Sequence, residues 1–515
     1  MQLMPVKLLF SPFRIAFLIF WFYLCMYLVQ RFEFSPIVPK KLKAYMNILM
    51  LFFGPFVLFI FIVAEAAGKI MQHGASFADA VKGALGRAVQ IVDISHFSGA
   101  RGKSSLILLD SSGKDLFEVY GNAKNNKEDK HTLEHTQRLI SNAVDELASD
   151  ILIDPVSSDK YSIRYRIDGM LRTVEGIDFR RCAAIVNSIK AISSMDISER
   201  RRPQDGAFIA KTSDGNISFR VASAGVLNGE KLSIRILNQA AMQLTLGDVG
   251  MSERYQQLVR ETISRQSGMI LVCGPTGSGK STTMQAMLSE LDFNIRNVIT
   301  IEDPIEYVLP QASQIEINPK AGITFAKTLR SVLRQDPDVI GVGEIRDEET
   351  ASIALAASQT GHLVLTTLHS SSNAATIVRL MDLGIKPLLV SSAIDLIISQ
   401  RLIRKLCPDC VVTASLTETQ IEKFRGKVDM TKIMQPAGCF LCGDSGYRGR
   451  IGIFDIMVID DNVKAQILSS NFSVSSFKNA GDEQYKTNLR KQALKLALSG
   501  ITSLEEVKRV TANLG

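Results

Sequence analysis

The chain has 515 residues, too many for one hydrophobic core, and the usual size of a domain predicts about three or four units. Its formal net charge of +7 is a small excess of 59 basic over 52 acidic side chains, and no basic run carries interleaved aromatic residues, which argues against a nucleic-acid surface. Seven cysteines, four of them in two C-x-x-C pairs, exclude a disulfide framework and indicate a reducing compartment with one metal site.

Two apolar runs near the amino terminus are long enough to enter a membrane. Residues 44–64 contain no charged side chain, and at about 1.5 Å per residue they match the thickness of a bilayer core. Residues 15–29 form a second run, which spans if it reaches back to Leu8 and Arg14 snorkels towards the headgroups. No cleavage site for a signal peptide follows it. We predict two membrane helices within residues 1–66, with buried core helices as the alternative.

The orientation of this membrane segment is open from sequence. The connection between the runs, residues 30–43, carries four basic side chains, which the positive-inside rule places on the cytoplasmic side. Two full spans put this connection outside if the rest of the chain is cytoplasmic. A helical hairpin that bends at Gly54 and does not cross the bilayer resolves the conflict.

Residues 67–130 are predicted to form a small amino-terminal region with a polar linker at 121–130. Within it, residues 105–109 and 116–120 are predicted strands joined through Ser-Ser-Gly. The next unit, residues 131–244, mixes helix and strand patterns and is a predicted α+β domain. Its predicted helices cover residues 133–148 and 179–193, its predicted strands cover 161–167, 207–211, 217–222 and 232–236, and Asp168-Gly169 and Asp214-Gly215 are hairpin signals.

Residues 245–400 alternate apolar strands with helices, the pattern of a parallel sheet covered on both faces. One strand, residues 269–273, runs into a match to G-x-x-x-x-G-K-[ST], which in turn leads into a predicted helix. Glycines let the backbone fold tightly, so that N–H groups and the helix amino terminus point at one phosphate. The predicted phosphate-binding residues are Gly274, Pro275, Thr276, Gly277, Ser278, Gly279, Lys280, Ser281 and Thr282. Among them Lys280 supplies charge for the β and γ phosphates, and Ser281 a hydroxyl for Mg²⁺.

Acidic side chains follow two further predicted strands, where a nucleotide site needs ligands for magnesium and for the attacking water. Glu302, Asp303 and Glu306 come after the strand 298–301, and Glu344 comes after the strand 339–342. Solvated helix caps are the alternative for each cluster. A third strand, residues 363–368, lies between His362 and His369, which we interpret as phosphate sensors or switch elements.

The ordered motifs GPTGSGKSTT, IEDPIEY, LRQDPDVIGVGEIRD and TGHLVLTTLH resemble the Walker A, Asp box, Walker B and His box of the secretion ATPase superfamily, closely those of type II secretion and type IV pilus assembly ATPases. The resemblance runs from about residue 133 to the carboxyl terminus and includes residues 198–206 and 229–231. It implies a RecA-like P-loop NTPase domain preceded by a small α+β, PAS-like domain, with ATP and Mg²⁺ as cofactors.

The resemblance also implies residue roles. Glu344 would hold magnesium through water and activate the nucleophilic water, with Glu302, Asp303 and Glu306 in support. Four arginines match family positions that reach the γ-phosphate, some from a neighbouring subunit: Arg220, Arg235, Arg330 and Arg334. An arginine supplied in this way is worth about 10³ to 10⁵ in rate. Surface ion pairing is the alternative for these arginines.

Two cysteine knuckles follow the nucleotide motifs. Cys407 and Cys410 form one C-x-x-C pair, and Cys439 and Cys442 form the other, the spacing that closes a tetrahedral thiolate site. Structural Zn²⁺ is the favoured metal, with an iron–sulfur cluster as the alternative. The predicted organisation therefore ends with the RecA-like core at 245–400, a zinc subdomain at 401–455 and a helical region at 456–515. Among the motors that the sequence resembles, this insert favours assembly over retraction.

Together these features predict a homohexameric ATPase that powers assembly of a type IV pilus or a type II secretion pseudopilus. The resemblance implies a polytopic inner-membrane platform protein as partner, and the apolar runs add membrane lipid. We expect location at the bacterial inner membrane with the ATPase domains in the cytoplasm, and no direct contact with nucleic acid. The alternatives are a membrane scaffold that binds ATP without hydrolysis and a DNA-uptake or conjugation motor.

Overall fold

The computed structural model describes residues 106–120, 127–212, 215–238, 244–418, 421–422, 429–469 and 488–512, together with Trp21 and Cys25. The described residues within 105–438 and 445–515 form one compact unit. The predicted membrane runs, residues 15–29 and 44–64, lie outside the described residues. Within the described part of the chain, no helix combines the length and apolar character needed to span a bilayer.

An antiparallel sheet forms the first half of the compact unit. Its strands, numbered in chain order, are β1 (Ile107–Leu109), β2 (Asp150–Pro155), β3 (Lys160–Ile167), β4 (Met170–Asp178), β5 (Gln204–Thr212), β6 (Gly215–Val226) and β7 (Gly229–Asn238). They lie in the order β1-β5-β6-β7-β2-β3-β4. Helices α1 (Leu116–Val119), α2 (Lys127–Asp145) and α3 (Phe179–Ile192) accompany them. Buried residues of all three helices join one core with alternate strand residues such as Phe208 and Phe219, so the helices pack on one face of the sheet.

Three features of this half differ from the sequence prediction. The expected strand at residues 116–120 is wrong, because Asp115 accepts a hydrogen bond from the Glu118 amide at 2.7 Å and Glu118 accepts one from the Asp115 amide at 3.4 Å, a capping box that starts α1. The linker expected at 121–130 overlaps the start of a helix, since α2 begins at Lys127. Strands β2 and β4 were not predicted, and β4 is an edge strand without a clear alternation of buried and exposed residues.

A parallel sheet forms the second half. Strands β8 (Gly268–Cys273), β9 (Val298–Glu302), β10 (Ser313–Glu316), β11 (Val339–Val342), β12 (Leu363–Leu368) and β13 (Ile394–Leu406) pair in the order β10-β9-β11-β12-β8-β13. The helices are α4 (Glu253–Ile263), α5 (Lys280–Leu288), α6 (Phe325–Val332), α7 (Glu348–Gln359), α8 (Asn373–Asp382) and α9 (Pro387–Ala393).

Both faces of the parallel sheet are buried. Met269 and Leu271 of β8 belong to a core with α6 to α9, whereas Ile270 and Val272 belong to a second core with α4 and α5. The strand is therefore apolar at every position instead of alternating. The predicted parallel sheet with helices on both faces is confirmed.

The last described segment completes this sheet. Strands β14 (Val411–Thr413) and β15 (Met434–Pro436) form a small antiparallel pair, and β16 (Tyr447–Val458) pairs antiparallel with β13. Helices α10 (Asp461–Leu468), α11 (Leu489–Leu498) and α12 (Leu504–Thr511) follow. Residues of α11 and α12 are buried against Ile403 of β13 and Ile453 of β16.

Polar contacts join the antiparallel sheet to the parallel one. Asp168, in the turn between β3 and β4, accepts a hydrogen bond from the Gly449 amide at 2.8 Å and pairs with Arg450 at 3.4 Å. Arg220 on β6 pairs with Glu316 at the end of β10 at 2.9 Å. The second contact places a side chain of the antiparallel sheet at the carboxyl edge of the parallel sheet.

Candidate nucleotide site

The register of the parallel sheet brings the predicted motifs to one edge. Cys273 lies opposite Leu368, so the loop after β8 is adjacent to His369. Val342 lies opposite Ile301, so the acidic residues after β9 and β11 are neighbours as well. Because every one of these strands is parallel, their carboxyl ends meet, which is where α/β sheets bind ligands.

The phosphate loop folds through glycines with positive φ. Gly277 and Gly279 have φ values of 75° and 87°, in the left-handed region. A Cβ added at Gly279 would also lie 2.9 Å from Nε2 of the Gln400 side chain. Gly279 is the N-cap of α5 and supplies no side-chain hydrogen bond, so the first N–H groups of the helix remain available to an anion.

An unpaired hydroxyl in this loop fits a phosphate. Ser278 is 3% exposed, and its Oγ is among the buried side-chain atoms without a hydrogen-bond partner in the described part of the chain. A buried hydroxyl left unpaired costs about 1 to 3 kcal/mol, and a phosphate oxygen would satisfy it. The residues of the loop therefore fit the phosphate groups of a nucleotide.

Lys280 lies at the start of α5 and is 8% exposed. Its ammonium donates to the carbonyl oxygens of Gly274 at 3.0 Å and Pro275 at 3.2 Å, and lies 3.4 Å from Nδ1 of His369. Burial lowers the pKa of Lys280, and the charge of Glu344 opposes this shift. The ammonium is thus a largely buried cation held by two backbone carbonyls of the phosphate loop.

Glu344 connects the phosphate loop to the acidic residues. Its side chain is 15% exposed and pairs with Nη2 of Arg346, while its other oxygen lies 3.5 Å from Nε2 of His369. Arg346 also reaches Asp303, with its Nη1 3.7 Å from Oδ2. Burial and then the charge of Lys280 lower the pKa of His369, which keeps the imidazole neutral at neutral pH.

Glu302 is more deeply buried than Glu344 and has its own polar partners. It is 7% exposed and accepts hydrogen bonds from Oγ1 of Thr300 at 2.6 Å and Nε2 of Gln314 at 3.0 Å. Burial raises the pKa of Glu302, against the lowering effect of these two bonds. Glu306 contributes negative charge nearby, since it raises the pKa of Lys280.

The oxygen donors at this edge are those that Mg²⁺ prefers: carboxylates of Glu302, Asp303 and Glu344 beside a P-loop serine, Ser281. The carboxylates of Asp303 and Glu344 are close enough that both pair with the guanidinium of Arg346. The donor set therefore fits a magnesium ion bound together with a nucleotide.

The four candidate arginines each have another partner in this chain. Arg220 pairs with Glu316, Arg235 with Asp150 at 3.4 Å and Arg330 with Glu349 at 2.6 Å, and Arg334 donates to the carbonyl of Arg330 at 2.8 Å. Arg220 is the one whose partner lies at the carboxyl edge of the parallel sheet, because Glu316 is opposite Glu302 in the register of β10 and β9.

His362 does not reach the phosphate loop. It precedes β12, so it lies at the amino edge of the sheet, opposite the edge of His369. Its Nδ1 is 3.0 Å from the carbonyl oxygen of Ala357, the last turn of α7. The prediction that both histidines are phosphate sensors or switch elements stays a proposal for His369, which lies beside Lys280, whereas His362 has a local contact with α7, because the length of β12 separates the two histidines.

The cysteines of each knuckle lie together. Cys439 and Cys442 have their sulfurs 3.7 Å apart, and the Cys410 amide donates to the Cys407 carbonyl at 3.3 Å. The four sulfur atoms lie within 4.8 Å of one another, as a group that could hold a metal ion. Zn–S bonds of about 2.3 Å in a tetrahedron require sulfurs about 3.8 Å apart, so the donor set fits zinc.

Sequence reasoning missed several residues of the site. Arg346 lies inside the Walker B motif but was not assigned a role, and its signal is its position two residues after Glu344. Gln314 and Thr300 bind Glu302, and Tyr307 Oη lies 3.2 Å from Thr282 Oγ1. Gln314 had no sequence signal, because only the pairing of β10 with β9 brings it to Glu302.

The profile of the family described as "Type II/IV secretion system protein" matches residues 125–509. The chain belongs to this family. Type II secretion system protein E of Klebsiella pneumoniae is 43% identical over 376 residues, which cover 72% of this chain and 74% of the relative. The type IV pilus assembly ATPase PilB of Acinetobacter baylyi is 38% identical over 392 residues, which cover 75% of this chain and 67% of the relative.

Solved structures of this superfamily have a similar fold. The pilus retraction motor PilT with bound ADP is 27% identical with a TM-score of 0.50, over 72% of this chain and 95% of the neighbour. The Legionella pneumophila ATPase DotB has a TM-score of 0.56 over 73% of this chain and 95% of its own, and at 22% identity it shows the fold alone. The predicted family is confirmed, and this member of it is a P-loop ATPase.

Proposed function

We propose that this ATPase powers assembly of a type IV pilus or a type II secretion pseudopilus. The observation that carries the proposal is the convergence of the phosphate loop, Asp box, Walker B and His box on Glu344 and its partners. The relatives named as type II secretion system protein E and as a type IV pilus assembly ATPase support assembly rather than retraction.

In the proposed reaction Lys280 leaves the carbonyls of Gly274 and Pro275 and binds the β and γ phosphates, together with the N–H groups at the start of α5. Magnesium, when bound, would neutralise phosphate charge, and the residues that would hold it are Ser281, Glu302, Asp303 and, through water, Glu344. Glu344 accepts a proton from the attacking water and orients it, from a position where its side chain is 15% exposed.

Domain movement is proposed to complete the site. Arg220 already lies at the carboxyl edge of the parallel sheet on Glu316, so a small closure of the antiparallel sheet would carry its guanidinium towards the γ-phosphate. Arg235, Arg330 and Arg334 would then act across subunits of a ring. We propose a homohexamer that works on a polytopic inner-membrane platform protein, with zinc held by the four cysteines.

Association with the inner membrane is proposed to involve the chain itself. Residues 15–29 and 44–64 are the apolar runs on which this rests. Expressed without partners, the full chain should resist extraction by alkaline carbonate. Release into the supernatant would refute integral insertion, leaving the ATPase assignment untouched.

The test of the catalytic assignment compares two substitutions, with phosphate release and binding of a fluorescent ATP analogue as readouts. Lys280→Ala should lose nucleotide binding and hydrolysis together, because it removes the phosphate cation. Glu344→Gln should keep nucleotide bound while hydrolysis falls by about 100-fold or more. Glu290→Gln, two residues past the carboxyl end of α5, is the matched control and should hydrolyse ATP at the wild-type rate. Wild-type hydrolysis by Glu344→Gln would refute its role as the base.

A further inference from the structure

The segment that links β11 to α7, Gly343 to Asp347, has a fixed backbone. The Gly343 amide donates to the Ile301 carbonyl at 2.8 Å, and the Ile345 amide donates to the Thr367 carbonyl at 3.0 Å. Asp347 caps α7 by accepting from the Thr350 amide at 2.8 Å. The neighbouring strands therefore hold this segment at both of its ends and in its middle.

This anchoring places Glu344 and Arg346 on the same side of the segment. Ile345, between them, is 4% exposed and belongs to the hydrophobic core. The side chains of Glu344 and Arg346 form an ion pair, so the two charged side chains leave the core together.

Arg346 pairs with carboxylates from two different motifs. Its Nη2 contacts Oε1 of Glu344, and its Nη1 lies 3.7 Å from Oδ2 of Asp303. A guanidinium is a permanent cation with a fork of donors that suits two carboxylate oxygens. Arg346 thus places a positive charge on oxygens of the acidic cluster.

The exposure of the two partners differs. The Arg346 side chain is 60% exposed, whereas that of Glu344 is 15% exposed. An exposed arginine can move into water at little cost, while the buried carboxylate stays where the segment holds it. The arginine is therefore the movable member of the pair.

We propose that Arg346 is a positioning residue that holds Glu344 and Asp303 together in the nucleotide-free chain and competes with the divalent cation for their oxygens. The inference rests on the proposed function of these two carboxylates. When magnesium nucleotide binds, Arg346 leaves them for the nucleotide phosphates, where its charge supports turnover. The pair keeps the carboxylates aligned and lowers their affinity for a metal ion that arrives without nucleotide.

The test is titration of the nucleotide-free, full-length chain with Mn²⁺, with free Mn²⁺ measured by electron paramagnetic resonance. Arg346→Ala should bind Mn²⁺ up to about fivefold more tightly than wild type, since a charge pair of this kind is worth at most about 1 kcal/mol. Arg346→Lys keeps the charge but not the fork of donors, so its Mn²⁺ affinity should lie between those of wild type and Arg346→Ala. Arg265→Ala is the matched control, because Arg265 pairs with Asp395 at 2.8 Å and is 54% exposed at the opposite edge of the sheet.

Phosphate release gives the second readout. Turnover at saturating Mg·ATP should fall in Arg346→Ala even as metal affinity rises, whereas a merely structural role would lower both. Arg346→Gln, with the thermal unfolding midpoint, shows whether a loss reflects misfolding. Mn²⁺ affinity in Arg346→Ala and Arg346→Gln that equals wild type would overturn the proposal. If Arg346→Ala binds Mn²⁺ more tightly but Glu344→Gln hydrolyses ATP at the wild-type rate, the competition between Arg346 and the metal ion is upheld. The role of Glu344 as the catalytic base is then refuted.

Discussion

The ion pair between Arg220 and Glu316 allows a sharp test of domain closure. Arg220 is on the antiparallel sheet, Glu316 is on the parallel sheet, and Nη2 and Oε1 are 2.9 Å apart. In the proposed mechanism Arg220 must leave Glu316 to reach the γ-phosphate. Removing the two partners one at a time should therefore change turnover in opposite directions.

The expected sizes follow from the exposure of the pair. The side chains are 44% and 49% exposed, and exposed pairs of this kind contribute about 0.2 to 1 kcal/mol. Glu316→Gln should raise turnover by about 1.4- to 5-fold, because that free energy no longer holds Arg220 away from the phosphate. Arg220→Gln removes the transition-state cation and should lower turnover by about 10³-fold.

Steady-state phosphate release at saturating Mg·ATP measures both effects. Glu146→Gln is the matched control, because Glu146 pairs with Arg172 within the antiparallel sheet at similar exposure, 38% and 35%. The control should hydrolyse ATP at the wild-type rate. A decrease in Glu316→Gln would refute the competition for Arg220, and wild-type turnover in Arg220→Gln would refute its catalytic role.

Three further outcomes are expected. The buried ammonium of Lys190 lies 2.8 Å from the Glu230 carboxylate, so Lys190→Met should lower the free energy of unfolding in urea by about 3 to 5 kcal/mol. The double variant with Glu230→Leu should recover at least half of that free energy. No recovery would contradict a coupled pair. Burial raises the pKa of Asp455 from 3.8 to about 6. Between these values the folded chain binds a proton that the unfolded chain has released, so stability falls as the pH rises through this window. Asp455→Asn should flatten the pH dependence of the unfolding midpoint. An unchanged slope would argue against the raised pKa of Asp455. Cys407→Ser should lower both bound zinc and the unfolding midpoint; a folded, reduced wild type with iron or no metal speaks against the zinc site.

Much of the site could be predicted from the sequence because its chemistry depends on short-range patterns. A glycine loop between an apolar strand and a helix specifies its own phosphate-binding geometry, and acids after apolar strands lie at one edge of any parallel sheet. Lys280, Glu302 and Glu344 therefore lie where the motifs indicate. The capping box of Asp115 and Glu118 is also a local signal, and it explains why residues 116–120 form a helix instead of the expected strand.

Tertiary structure decided which of these residues touch. The partners of Glu302 and the pairing of Arg220 with Glu316 depend on the addition of β10 beside β9, a contact between segments distant in sequence. The separation of His362 from His369 depends on the direction of β12, which a pair of flanking histidines does not reveal. The order in which distant strands pair is set by the burial of both faces of the sheet. The motifs therefore determined which chemical groups are present, and the packing of the strands determined which charged side chains meet.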